Sequence, residues 1–445
     1  MKKIFLSTLG GCLLGLSAQA QWVNQPISYT PGLVAFYLDA IDANTAWSVG
    51  SPTLSTSYSA PQVARTTNAG QTWATSNPPV DAANVEDFTS FCAIDASNAW
   101  MTVKGPRIPG RILHTNNGGQ NWTVQSSASV YGSRDSFPDM ISFLSATEGI
   151  TVGDPLQTSA PLELYRTTNG GTTWDAVLNS PATLTNEYPL SSPPAVVGND
   201  IWFCTSKGRV FHSGDKGLTW TATVVDGSVS SLWKVAFRDA RNGLACILDE
   251  QGQQHRLYRT TDGGATWTNV AYTGPLHGLG LSKVPGSAYY VSTGTNIGNG
   301  DTGSSYSRDN GQTWVSMETR LDHYITEFVS PTVGWSASFS LNPASGSANR
   351  YSGNLLATHT DAALQAGLSV SPNPAAGGRF SLQSARPVGS SATVRVFNVA
   401  GRLVQQLAWT GTTPLDLDLS QQAAGLYVLE VQSANGTARQ KIVVQ

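Results

Sequence analysis

The chain has 445 residues, of which only 12% are charged, a net charge of −3, and 44 Gly and 13 Trp residues. That length admits two or three domains, and the sparse, evenly spread charge argues against a nucleic-acid partner. Short strands joined by many turns suit the Gly, Ser, Thr and Asn content, and no helical period stands out.

The first element in the chain is a leader. Lys2 and Lys3 precede an apolar stretch over residues 4–16, and Ala18-Gln19-Ala20 offers a small-residue cleavage site. Residues 1–20 therefore read as a signal peptide cleaved after Ala20, which removes two lysines and brings the net charge to −5. No other segment reaches the 18 or so apolar residues of a membrane helix, so no transmembrane segment is expected. Cys92, Cys204 and Cys246 then remain, scattered in apolar runs, and are expected as buried thiols rather than a disulfide framework.

An octapeptide, [ST]-x-[DN]-x-G-x-x-W, follows six times, ending at Trp73, Trp122, Trp174, Trp220, Trp267 and Trp314, with spacings of 49, 52, 46, 47 and 47 residues. One four-stranded propeller blade has about this length. Asn68, Asn117, Asn169, Asp215, Asp262 and Asp309 can fold onto backbone N–H groups, and the Gly two residues later accepts positive φ. The Trp opens the next strand and can bury its ring. These octapeptides resemble the Asp-box repeats of sialidases, sortilin-type receptors, xyloglucanases and the photosystem II stability/assembly factor. The resemblance places each box in the hairpin between a blade's third and fourth strands, away from the ligand face, and makes the box acids structural.

A second repeated feature, an upstream strand with one large-residue slot, occurs seven times, at Trp47, Trp100, Ile150, Trp202, Leu244, Tyr289 and Trp335. The count predicts seven blades. Gln21-Trp22-Val23-Asn24 resembles Thr266-Trp267-Thr268-Asn269, so the N-terminus is expected to supply the last blade's outer strand and close the ring. The fold class is all-β: a seven-bladed β-propeller over 21–363, a linker at 364–367, and a small antiparallel β-sandwich over 368–445.

The last segment shows six or seven short alternating strands and resembles the type A sorting domain of Bacteroidota that use type IX secretion. The matching residues are Pro372-Asn373-Pro374, Phe397-Asn398, Gly401-Arg402, Gly425-Leu426-Tyr427 and Lys441. The resemblance implies the type IX machinery as a partner and a secreted or outer-surface location.

Functional candidates fall on loops between blades and on hairpins between second and third strands, where a rigid scaffold presents variable segments. They are Arg107, Tyr131, Arg134, Tyr188, Trp233, His277, His323 and Tyr324 for ligand binding, and Asp154 and Asp135 as carboxylates to test for catalysis. Arg107-Ile108-Pro109 resembles the sialidase Arg-Ile-Pro motif, whose arginine grips a substrate carboxylate; a Pro-rich turn is the plainer reading. Arg65, His114, Arg166, His212 and Arg259 recur at one repeat position. No metal or cofactor motif stands out. The sequence reads best as a non-catalytic propeller binding a glycan or protein, with an extracellular glycoside hydrolase as the alternative.

Overall fold

The computed structural model describes residues 21–52, 59–228, 234–248, 255–297, 300–338, 346–355, 362–385, 388, 392–399, 402–433 and 436–445. The chain divides into two units between Asn354 and Leu355.

The first unit contains seven four-stranded antiparallel sheets among the described residues. Six take their strands in chain order, over residues 33–76, 87–124, 138–176, 195–224, 234–269 and 280–318. In the seventh, Trp22–Ile27 adds to Gly346–Tyr351, followed by Val333–Ser338 and Thr326–Ser330. Trp22 pairs with Tyr351 and Ile27 with Gly346, so the N-terminal strand closes the ring as expected. First strands such as Pro138–Phe143 are buried throughout and line a central cavity, whereas outer strands such as Thr123–Val124 are two exposed residues long. Short outer strands leave little unpaired edge for another chain to extend.

Each octapeptide sits in the hairpin between third and fourth strands, and its polar residues bond alike. In the fifth, Gly264 N–H donates to Thr260 Oγ1 at 2.9 Å and Thr266 N–H to Asp262 Oδ1 at 2.9 Å. The first does the same through Thr66 and Asn68, at 3.0 Å each. The Trp indole N–H of Trp220, Trp267 and Trp314 donates 3.1 Å to the box glycine carbonyl. In the three Asn boxes the indole nitrogens of Trp73, Trp122 and Trp174 have no such partner.

The slot residues bridge blades. Trp47 Nε1 donates to Asp95 O (2.9 Å), Trp202 Nε1 to Gly263 O (2.8 Å) and Trp335 Nε1 to Asp42 O (3.2 Å), each in the next blade. His114 and His212 stack on Trp100 and Trp202, while Arg65 and Arg350 lie over Trp47 and Trp335. The recurrent Arg/His position thus covers the slot ring with a planar cation or imidazole. Register corrects one slot: Tyr290 lies opposite box residue Ser307, so the slot in blade 6 is the buried Val291, and Tyr289 precedes the strand.

The second unit is a sandwich of a three-stranded sheet (Leu368–Ser371, Arg379–Ser384, Leu415–Asp418) and a four-stranded one (Ala392–Asn398, Leu403–Trp409, Gly425–Ser433, Gly436–Val444). The expected linker at 364–367 is instead part of helix Ala362–Gly367, whose Leu364 belongs to the sandwich core. Ala, Leu and Gln favour that turn of helix, and burying Leu364 fixes it. The residues that carried the sorting-domain resemblance hold this unit together. Asn373 Nδ2 donates to Lys441 O (2.8 Å), Val443 N–H donates to Asn373 Oδ1 (3.0 Å), and Tyr427 OH donates to Ala423 O (2.7 Å).

Candidate functional site

Opposite the seven slots, the first strands present Asp39, Cys92, Ser142, Ala195, Ala236, Ser282 and Glu327 toward a central cavity of about 540 Å³. Several of these side chains accept a backbone N–H from the neighbouring blade. Ala93 N–H donates to Asp39 Oδ2 (2.7 Å), Phe143 N–H to Cys92 Sγ (3.3 Å), Phe328 N–H to Ser282 Oγ (3.0 Å) and Ala40 N–H to Glu327 Oε2 (2.9 Å). Where the position is alanine, in blades 4 and 5, lysines do the bracing. Lys234 Nζ donates to Pro193 O (3.2 Å) and Lys283 Nζ to Val196 O (2.7 Å).

Asp39 and Glu327 lie at the seam between the first and last blades and share a hydrogen bond. Burial, and then the neighbouring carboxylate, hold Asp39 well above the usual carboxylate range; burial likewise raises Glu327, which faces Lys234 and Lys283. Burial pulls Lys234 down to about 8. These groups satisfy one another, which makes the cavity wall a brace.

The face opposite the boxes carries the sequence candidates, which the structure sorts into two groups. Several are withdrawn from solvent. Tyr131 is fully buried, with its hydroxyl 2.9 Å from Thr151 Oγ1 and its ring against Tyr165. His323 is fully buried, 2.6 Å from Ser336 Oγ, 3.0 Å from Glu318 Oε1, and packed on Trp22. His277 is buried with Nδ1 2.5 Å from Asp301 Oδ1, and Tyr324 is half-buried against Phe36. These four were expected to meet ligand; loop packing buries their rings. Arg107, Arg134 and Asp135 are exposed, as is Tyr188 at 48%. Trp233 lies outside the described residues.

Asp154 is not alone. It directly follows the second strand of blade 3, Gly149–Gly153, where the first strand supplies Asp139 and the third begins with Glu163. Asp139, 4% exposed, lies beside Asp154, and Ser191 Oγ donates to Asp139 Oδ1 at 3.3 Å. Tyr165 OH donates to Glu163 Oε1 at 3.0 Å. Burial, then the Asp154 charge, hold Asp139 well above the usual carboxylate range, and burial raises Asp154 and Glu163 too. Asp139 Oδ2 and Asp154 Oδ1 are buried without a hydrogen-bond donor, and the buried Ser136 hydroxyl lies beside Glu163. Among the described residues, no group of three or more His, Cys, Asp or Glu is placed to hold a metal ion. Sequence reasoning missed Asp139 and Glu163. The available signal was Glu163's position four residues before a box, which Arg111, Arg209 and Arg256 hold in other repeats.

Comparison with known proteins places this geometry. Residues 369–445 match the family described as the secretion system C-terminal sorting domain, so the second unit is the sorting domain its motifs indicated. It marks the chain for secretion or cell-surface export. Curated relatives include a xyloglucanase of Paenibacillus sp, 24% identical over 279 residues, covering 54% of this chain and 26% of that protein. A xyloglucanase of Hypocrea jecorina (strain QM6a) is 23% identical over 319 residues, covering 63% of this chain and 36% of that protein. This chain therefore spans roughly a quarter to a third of the length of these relatives. A solved structure of YCF48 bound to D1 peptide superposes with a TM-score of 0.52 at 17% identity, over 75% of this chain and 97% of that one. That likeness shows the propeller fold. No described helix is long and apolar enough to cross a membrane.

Proposed function

We propose that the chain is a secreted or cell-surface recognition propeller, delivered by its signal peptide and the type IX machinery, which binds a glycan or protein partner through the face opposite the boxes. The observation that carries this reading is the sorting of the candidates. The groups suited to proton transfer, His277 and His323, are buried in hydrogen bonds, while Arg107, Arg134, Asp135 and Tyr188 stand out on loops of blades 2 to 4. Exposed cationic and aromatic side chains on rigid loops suit recognition. In addition, Asp139 and Asp154 touch, whereas glycosidase carboxylates stand about 5–10 Å apart to flank a sugar.

The alternative is a glycoside hydrolase acting on xyloglucan. The two xyloglucanase relatives favour it, as does the raised carboxyl of Asp154, a property of a general acid. An array of polysaccharides and glycoproteins, read for both retention and product release, separates the two. Retention without products supports recognition. Release from xyloglucan that is abolished by Asp154→Asn overturns it.

A further inference from the structure

The position four residues before each box repeats a device in three blades. Arg111 in blade 2 donates to both oxygens of Glu86, with Nε–Oε1 at 2.8 Å, and also reaches Pro79 O at 2.9 Å. Arg209 in blade 4 makes the same fork to Glu187, with Nε–Oε1 at 2.8 Å, and reaches Ala182 O at 3.1 Å. Arg256 in blade 5 donates to Asp226 Oδ2 at 2.7 Å. In each case an acid from the loop entering the blade meets a guanidinium from the blade's third strand.

Blade 3 reverses the charge. Its third strand reads Glu163-Leu164-Tyr165-Arg166-Thr167 where blade 5 reads Arg256-Leu257-Tyr258-Arg259-Thr260, so the two differ only at the first residue. Tyr165 bonds Glu163 as Tyr258 bonds Asp226, yet no arginine or lysine forms an ion pair with Glu163, Asp154 or Asp139 among the described residues. Asp139 is 4% exposed, and its Oδ2 has no hydrogen-bond partner. Burying unpaired carboxylates is costly, and the neighbouring blades meet that cost with a guanidinium. Asp154 and Glu163 are only half-buried, so solvent reaches the carboxylates from that edge. Thr183 N–H donates to Ala160 O (3.2 Å), which ties the loop between Asp154 and Glu163, with Leu156 50% exposed, to the loop that leaves the blade.

We propose that this pocket receives an arginine side chain from a protein partner, supplying in trans the guanidinium that blades 2, 4 and 5 supply from their own strands. A planar five-donor group suits carboxylates that come from the first strand, the residue after the second strand and the start of the third. The proposal rests on the recognition reading above and narrows its ligand.

The test titrates the full chain with an acetylated, amidated Gly-Arg-Gly tripeptide, its citrulline counterpart, and calcium chloride alone, by calorimetry. Expected is saturable binding of the arginine peptide, weakened about tenfold or more by citrulline, by Glu163→Gln and by Asp154→Asn, because a charge-assisted hydrogen bond is lost in each. Glu163→Arg should rebuild the sister-blade fork, raise the melting temperature and abolish the binding. No peptide binding, equal binding of citrulline, or calcium binding in its place overturns the proposal. So does a lower melting temperature in Glu163→Arg combined with unchanged peptide binding. A partner that binds the loop face equally well to Glu163→Gln overturns this inference and leaves the recognition reading standing.

Discussion

Gly217 shows how narrowly each turn is specified. Its φ of +85° belongs to the left-handed region, and a Cβ there would meet Ile150 Cγ2 at 2.6 Å, so both backbone and packing demand glycine. Gly217→Ala should lower unfolding free energy by about 1–3 kcal/mol, read from the denaturant midpoint. Such box residues were legible in sequence because their bonds span four residues or fewer, as from Gly217 N to Ser213 Oγ. Asp139, Asp154 and Glu163 were not legible as a group. Only strand pairing brings them together; Glu163 is marked by its place four residues before a box, but Asp139 carries no local mark beyond its charge.

Strand closure sets the next scale. Trp22, 2% exposed, donates to Ser304 Oγ at 3.0 Å and packs against His323, Phe328 and Tyr351. Trp22→Ala should cost about 3–5 kcal/mol in chemical denaturation, the usual loss for a buried tryptophan. The match between Trp22-Val23-Asn24 and Trp267-Thr268-Asn269 announced this strand, whereas two adjacent tyrosines, Tyr289 and Tyr290, displaced one slot assignment. A strand's faces alternate, so a slip of two residues keeps the side but moves the slot out of register with the box, here to a residue that precedes the strand. The same blade seam carries a pH dependence. Asp39 and Glu327 are held above their unfolded values, so their contribution is complete below about pH 4 and lost as pH rises through the folded value. Lys234, pulled down from 10.5 to about 8, acts the other way, its contribution being lost as pH falls through about 8. From pH 5 to pH 7 the acid pair dominates, and the melting temperature should fall. Asp39→Asn keeps a donor toward Glu327 and should flatten that slope; an unchanged slope would show that other groups set it.

For the whole molecule, the proposed division of work is recognition by the propeller and delivery by the sorting domain, and only the second is carried by a family match. Truncation before Leu368 should leave the propeller folded but retained inside the cell envelope, which fractionation of cells and medium would detect. Fold and delivery could be read from the sequence because box chemistry and tail motifs are local and repeated. The loop face could not, since burial of Tyr131 and His323 depends on strand residues such as Thr151, Tyr165, Ser336 and Trp22 that folding brings against them. Recognition without hydrolysis is tested most directly by incubating the full chain with xyloglucan and an array of polysaccharides and glycoproteins while measuring both retention and released sugar. The account predicts retention on at least one surface with no released product; release of oligosaccharide from xyloglucan that disappears in Asp154→Asn would contradict it.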